Sequence, residues 1–198
     1  MKLQDRLPDS ITVKGRKYKL DLDFRNVLNM MDVMSDKSLL AESRLYLALK
    51  CVLRRVPHSV RVQDELLQAV LQMLFNAKKR DIEEKPHMSL TQDADLIVGA
   101  FRQSYGINLY RDRLHWFEFR VLLACLPEGS RYSEVVEIRT KPLPAPTKYN
   151  GEERRSLMKA KAAVALEMTE DERQDSYKKS VSRVAESLRE LAKWGERD

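Results

Sequence analysis

The 198-residue chain is poor in the residues that build loop-rich or cross-linked folds: it has two cysteines, six glycines and seven prolines. Few glycines and prolines argue against a many-turned β fold and favour long helices. Cys51 and Cys125 cannot make a disulfide framework, and both sit in apolar helical runs, so buried free thiols in a reducing cytosol are expected. Long hydrophobic runs are missing too. None approaches the ~20 apolar residues of a membrane span, and no apolar run precedes a cleavage site near the N-terminus. The chain is expected to be cytoplasmic.

Sites for chemistry are equally sparse. His58, His87 and His115 stand alone, and no CxxC or HExxH string provides zinc-ligand spacing. Gly99 and Gly106 are not followed by the Lys-Ser/Thr of a phosphate loop, and there is no GxSxG elbow. Asp93 and Asp95 are two apart on an expected helix and so point about 200° from each other. Helix capping and dipole roles suit them better than a shared proton. No metal, no cofactor and no enzymatic activity are expected.

What the chain does hold is amphipathic helix. Tyr110 to Leu126 carries two apolar stripes, one of Tyr110, Leu114, Phe117, Val121 and Cys125, the other of Trp116, Phe119, Leu123 and Leu126. A helix with two stripes needs cover on two sides. The expected fold is mainly α, a helical bundle around a central buried helix over residues 110–126, with a small N-terminal β-hairpin. The hairpin is read from Ile11-Thr12-Val13 and Tyr18-Leu20 around Lys14-Gly15.

Helices are expected from Leu22 to Met34, capped by Asp21, then from Ser38 to Pro57 and from Ser59 to about Asn76, where Leu67, Val70, Leu71, Leu74 and Phe75 face inward. After a polar loop, Thr91 caps a helix closed by Gly106, and Gly99 within it suggests close approach by Trp116. A short helix over residues 133–139 precedes the Pro-rich connector. The domain reading is a helical core over 1–140, a connector over 141–151 and a helical appendage over 152–198. In that appendage Tyr177, Val181, Val184, Leu188 and Leu191 make an a/d seam of about two heptads, below the usual ~3–4 of a coiled coil.

Binding surfaces remain as candidates. Met30, Met31 and Met34 on the first helix either fill a core or form an adaptable docking face. His115 beside Trp116 is either a polar contact next to an aromatic anchor, or a half-buried His donating to a backbone carbonyl while Trp116 fills the second stripe. The net charge of +6 permits a polyanionic partner. Its basic groups, Lys14 to Lys17, Arg54-Arg55 and Lys78 to Arg80, are scattered along the sequence and interleaved with acids, so a nucleic-acid partner is not expected. The helix pair 39–56 and 59–76 resembles a helix-turn-helix, but its second helix turns Gln, Asp and Glu outward.

Several strings occur together in order: Asp23-Phe24-Arg25, then Asp93, Asp95, Ile97, Phe101 and Gln103, then Tyr105 to Leu109. Leu114-His115-Trp116, Phe119, Leu122-Leu123, Leu126-Pro127 and Ile138-Arg139 follow. In this order they resemble the small tail-assembly chaperones of long-tailed phages and prophages, encoded beside the tape-measure gene. The resemblance covers roughly residues 10–165. Phe117 stands where a second Trp is common in that family, Asn108 stands where Asp is expected, and Thr169 to Trp194 has no counterpart. The resemblance implies a non-enzymatic protein that keeps the tape-measure protein soluble and extended and helps tail-tube protein assemble around it. The three methionines and the seam Tyr177–Leu191 are then the expected contacts, with self-association through the seam. A basic DNA-binding or regulatory protein, or a structural head-tail component of the virion, is the alternative.

Overall fold

The computed structural model describes residues 4–75 and 87–167. Among them are seven α-helices and one two-stranded antiparallel sheet. By contacts these residues form two units, 4–75 with 95–134 and 87–94 with 135–167.

The first unit opens with the hairpin, β1 (Ser10–Val13) and β2 (Arg16–Lys19). Lys14 and Gly15 both take positive φ, 50° and 74°. That is the backbone of a two-residue primed turn, whose twist matches the strands it joins. Ile11 pairs with Tyr18 and Val13 with Arg16. A two-stranded sheet is marginal alone, and β1 packs on helix α3.

The hairpin runs into a short extended connector that stitches the unit together. Leu20 N–H donates to the Asp9 carbonyl (2.7 Å), and Asp21 N–H donates to Val52 (2.9 Å). Phe24 N–H donates to Leu114 (2.9 Å), and Trp116 N–H donates back to Leu22 (2.8 Å). Isolated antiparallel bridges therefore join Leu20 to Leu53 and Asp23 to His115. Leu20 and Leu22 are buried, so this backbone satisfies its polar groups inside the protein, as buried backbone must.

Helices α1 (Phe24–Ser35), α2 (Ala41–Val52) and α3 (Val60–Phe75) follow, α1 packing on α2 and α2 on α3. The cap of α1 is Asp23, whose carboxylate accepts from Arg25 N–H (3.1 Å), and not Asp21. Core positions are Phe24, Val27 and Met30 from α1, Ala48, Leu49 and Val52 from α2, and Leu66, Val70 and Leu74 from α3. Leu66 takes the place expected for Leu67, one step round the same helix.

Helix α4 (Ala94–Tyr105) adds Ile97, Ala100 and Phe101 to this core, and α5 (Trp116–Ala124) adds Trp116 and Phe119. Phe119 stacks on Phe24 (4.8 Å between centroids) and on Phe101 (5.4 Å). Gly106 ends α4 at φ 70°, the expected left-handed cap. Gly99 is exposed, and a Cβ built on it would meet nothing within 4 Å, so no close approach by Trp116 explains this glycine.

In the second unit, Ser89 opens the turn that leads into α4. Its hydroxyl accepts from Gln92 N–H (3.1 Å), the capping role expected of Thr91. The C-terminal part of α6 (Arg131–Thr140) also belongs to this unit, followed by the extended Pro-rich connector and α7 (Gly151–Ala163). Asn150 ties the connector, donating to Ala145 and accepting from Thr147 N–H (2.8 Å each). Helix α7 buries none of its side chains. Among the described residues no helix is long and apolar enough to cross a membrane.

Candidate partner-binding surface

Helix α5 is shorter than the helix expected over 110–126, and the reason lies in Asn108. Its carboxamide oxygen accepts from Tyr110 N–H (3.0 Å), while its own N–H donates to Asp112 (2.7 Å). Such side-chain turns compete with helix formation. Arg25 then holds the loop from outside, donating to the carbonyls of Asp112 (2.9 Å) and Tyr110 (3.4 Å). Arg25 is itself fixed by Asp23 at 3.0 Å, and Arg113 reaches Asp21 at 2.8 Å and Asp23 at 3.5 Å. Burial pushes the Asp23 carboxyl up. Hydrogen bonds from Arg25 and the charges of both arginines outweigh it, and hold the group below its ordinary value.

His115 starts α5. Its Nδ1 accepts from Phe117 N–H (3.3 Å), and its backbone N–H donates to Glu118 (3.4 Å), a reciprocal capping box. Since Nδ1 accepts, Nε2 carries the proton and donates to the Pro8 carbonyl (3.1 Å). Of the two sequence readings for His115 and Trp116, the geometry matches the half-buried His bonded to a carbonyl, with Trp116 at 3% exposure in the core.

With the helix start fixed, its two stripes separate. Trp116 and Phe119 are buried, and Leu123 is half-buried. On the other side Phe117 is only half-buried, Val121 is 57% exposed, and Ala124 and Cys125 are exposed. Tyr110, expected in the same stripe, lies in the loop at 70% exposure. The helix is apolar on both sides, buried along one and exposed at Val121 and Cys125 on the other. Cys125 is therefore an exposed thiol, contrary to expectation, while Cys51 is half-buried. Arg120 donating to the Leu74 carbonyl (2.7 Å) and Tyr105 donating to Leu122 (2.9 Å) fix the orientation of α5. Beside its start lies a shallow cleft of about 230 Å³, lined by Asp21, Asp23, Arg113 and His115 among others. Arg113 there pairs with both Asp21 and Asp23.

Met30 is wholly buried, and Met31 and Met34 are half-buried. Tyr177, Val181, Val184, Leu188 and Leu191 lie outside the described residues. Sequence reasoning missed the outward face of Val121 and the Arg25 clamp. Asp23-Phe24-Arg25 was visible as a string, but the partners of Arg25 are 85 and 87 residues away.

Residues 3–166 match the family model described as Bacteriophage Gp15 protein. The chain belongs to the bacteriophage Gp15 protein family. No curated protein and no solved structure matches it. The Gp15 match includes the Asp23–Arg25 string, the Asn108 turn, all of α5 and Arg139, and it ends before the seam Tyr177–Leu191. The exposed Val121 and Cys125 of α5 are thus part of the Gp15-matched region.

Proposed function

We propose that this phage protein is a tail-assembly chaperone. It binds the tape-measure protein in the host cytoplasm, keeps it soluble and assists assembly of tail-tube protein around it, by binding and without catalysis. The observation that carries this reading is the outward apolar stripe of α5, with Phe117 half-buried and Val121 and Cys125 exposed, in a member of a phage family. An amphipathic helix of a partner would bury it by helix-in-groove packing. Each large apolar side chain fully covered contributes about 1.5–3 kcal/mol, so one such contact is weak. Many copies along one long partner would add avidity without new contacts. The half-buried Met31 and Met34 of α1 are adaptable side chains that would suit the same task.

The test is co-expression with the neighbouring tape-measure protein, then size-exclusion chromatography with light scattering. The expected result is a soluble complex holding several copies of this chain, lost on Val121→Asp while the variant's melting temperature stays unchanged. A tape-measure protein that aggregates with or without this chain would overturn the reading. Recovery of the chain in finished particles would make it a structural component instead.

A further inference from the structure

Two basic strings that are distant in the sequence meet in the fold. The antiparallel bridge between Leu20 and Leu53 sets the residue before Leu20 opposite the residue after Leu53, so Lys19 faces Arg54. Neighbours of this kind sit about 5 Å apart between Cα atoms. Lys17 shares the strand face of Lys19 two residues earlier, and Arg55 follows Arg54. Arg16 flanks them, its guanidinium 5.6 Å from the centre of the Tyr18 ring.

All these cations are exposed, and none has an ion pair among the described residues. Of the acids near the hairpin, Asp9 lies against Leu20 and its carboxylate accepts from the Ser10 hydroxyl (2.9 Å). Asp21 holds Arg113, and Glu65 is shared by Lys14 and Arg61. Like charges facing across a ladder are unfavourable, and an anion laid between Lys19 and Arg54 would relieve that repulsion.

We infer that this surface binds the phosphate backbone of a nucleic acid. A protein partner anchors on apolar or aromatic side chains at the centre of its footprint. Here Leu53 is buried and Tyr18 is half-buried, so the surface offers charge and little else. Clustered cations without anchors suit a phosphate chain, which is bound largely through counterion release. Alternate strand residues lie about 6.6 Å apart, which lets Lys17 and Lys19 contact successive points along such a chain. Among the described residues no helix brings Arg or Asn to base edges at this surface, so recognition is expected to be indifferent to base sequence. The inference rests on the hairpin and is independent of the stripe on α5.

The experiment is fluorescence anisotropy with mixed-sequence DNA and RNA oligonucleotides, on the full chain, between about 50 and 200 mM salt. Binding at the low end that falls steeply with salt and is insensitive to sequence is expected. The Lys19→Glu/Arg54→Glu double variant should bind at least about tenfold more weakly, with a salt slope smaller by about 1 for each phosphate it no longer reaches. Its circular dichroism should be unchanged. Should that variant not fold, Lys17→Gln/Arg55→Gln carries the same expectation. Absence of oligonucleotide binding at low salt, or full binding by the charge variants, overturns the inference. So does binding of polyglutamate in preference to oligonucleotides, which would assign the surface to an acidic protein.

Discussion

Arg139 and Asp93 form a two-pronged ion pair, Nη1 to Oδ2 at 2.7 Å and Nη2 to Oδ1 at 2.8 Å, across 46 residues of sequence. Both side chains are largely buried, at 12% and 2% exposure. Arg139 also donates to the carbonyls of Val164 and His87, and its own carbonyl accepts from Lys161. One guanidinium thus joins the start of α4, α6 and the end of α7.

Arg139→Ala leaves the Asp93 carboxylate buried without its partner. Breaking one side of a buried pair costs about 3–5 kcal/mol. Thermal melting should show a large loss for Arg139→Ala and a substantial one for Arg139→Lys, which keeps the charge but not the fork.

The same pair makes stability depend on acid. Burial raises the Asp93 carboxyl, but the hydrogen bonds from Arg139 and Ser89 N–H and the charge of Arg139 outweigh it, and hold the group below its ordinary value. Asp23 is lowered likewise. A carboxyl lowered by folding stabilises fully above its ordinary value and loses that contribution as pH falls through the folded one. The midpoint of urea unfolding should therefore be flat near neutrality and drop below about pH 4. In Asp93→Asn that drop should be shallower.

His115→Ala removes the acceptor for Phe117 N–H and the bond to Pro8. The loss is about 1 kcal/mol, the usual worth of an N-cap. His115→Asp restores the acceptor and suits the positive end of the helix, so its melting temperature should lie between those of His115→Ala and the natural protein.

Lys14 adopts φ 50°, which costs a side chain with a Cβ more than it costs Asn or Gly. The exposed ion pair of Lys14 with Glu65 is worth little in return. Lys14→Asn should raise the melting temperature slightly. A fall would show that the Glu65 pairing outweighs the turn.

What the sequence made legible was local. Lys14-Gly15 between alternating strands marked the hairpin, Gly106 marked the end of α4, and the 3.6-residue stripe of α3 identified Val70 and Leu74. The start of α5 was not legible, because Tyr110 to Leu114 continues the helical period and only the Asn108 turn and the distant Arg25 take it out of the helix. Nor could periodicity decide between the two stripes of α5. Both are apolar, and only tertiary packing covers Trp116 and Phe119 and leaves Val121 bare. Basic strings that looked scattered met through one bridge at Leu20 and Leu53, a pairing that no local pattern encodes. For Gly99 the structure supplies no packing reason.

The connector from Leu20 to Phe24 is completed by residues far along the chain, Arg113 lying 92 positions after Asp21. A ribosome adding about 5–20 residues per second needs about 5–20 s to cover that distance. Throughout that interval the Leu22 carbonyl and Phe24 N–H lack their final partners, and the hairpin with α1 to α3 waits unfinished. Closure of the unit is therefore a late, non-local event in folding. Because Trp116 N–H is held by the Leu22 carbonyl, the outward face of α5 takes its final position in a nascent chain only as the unit closes.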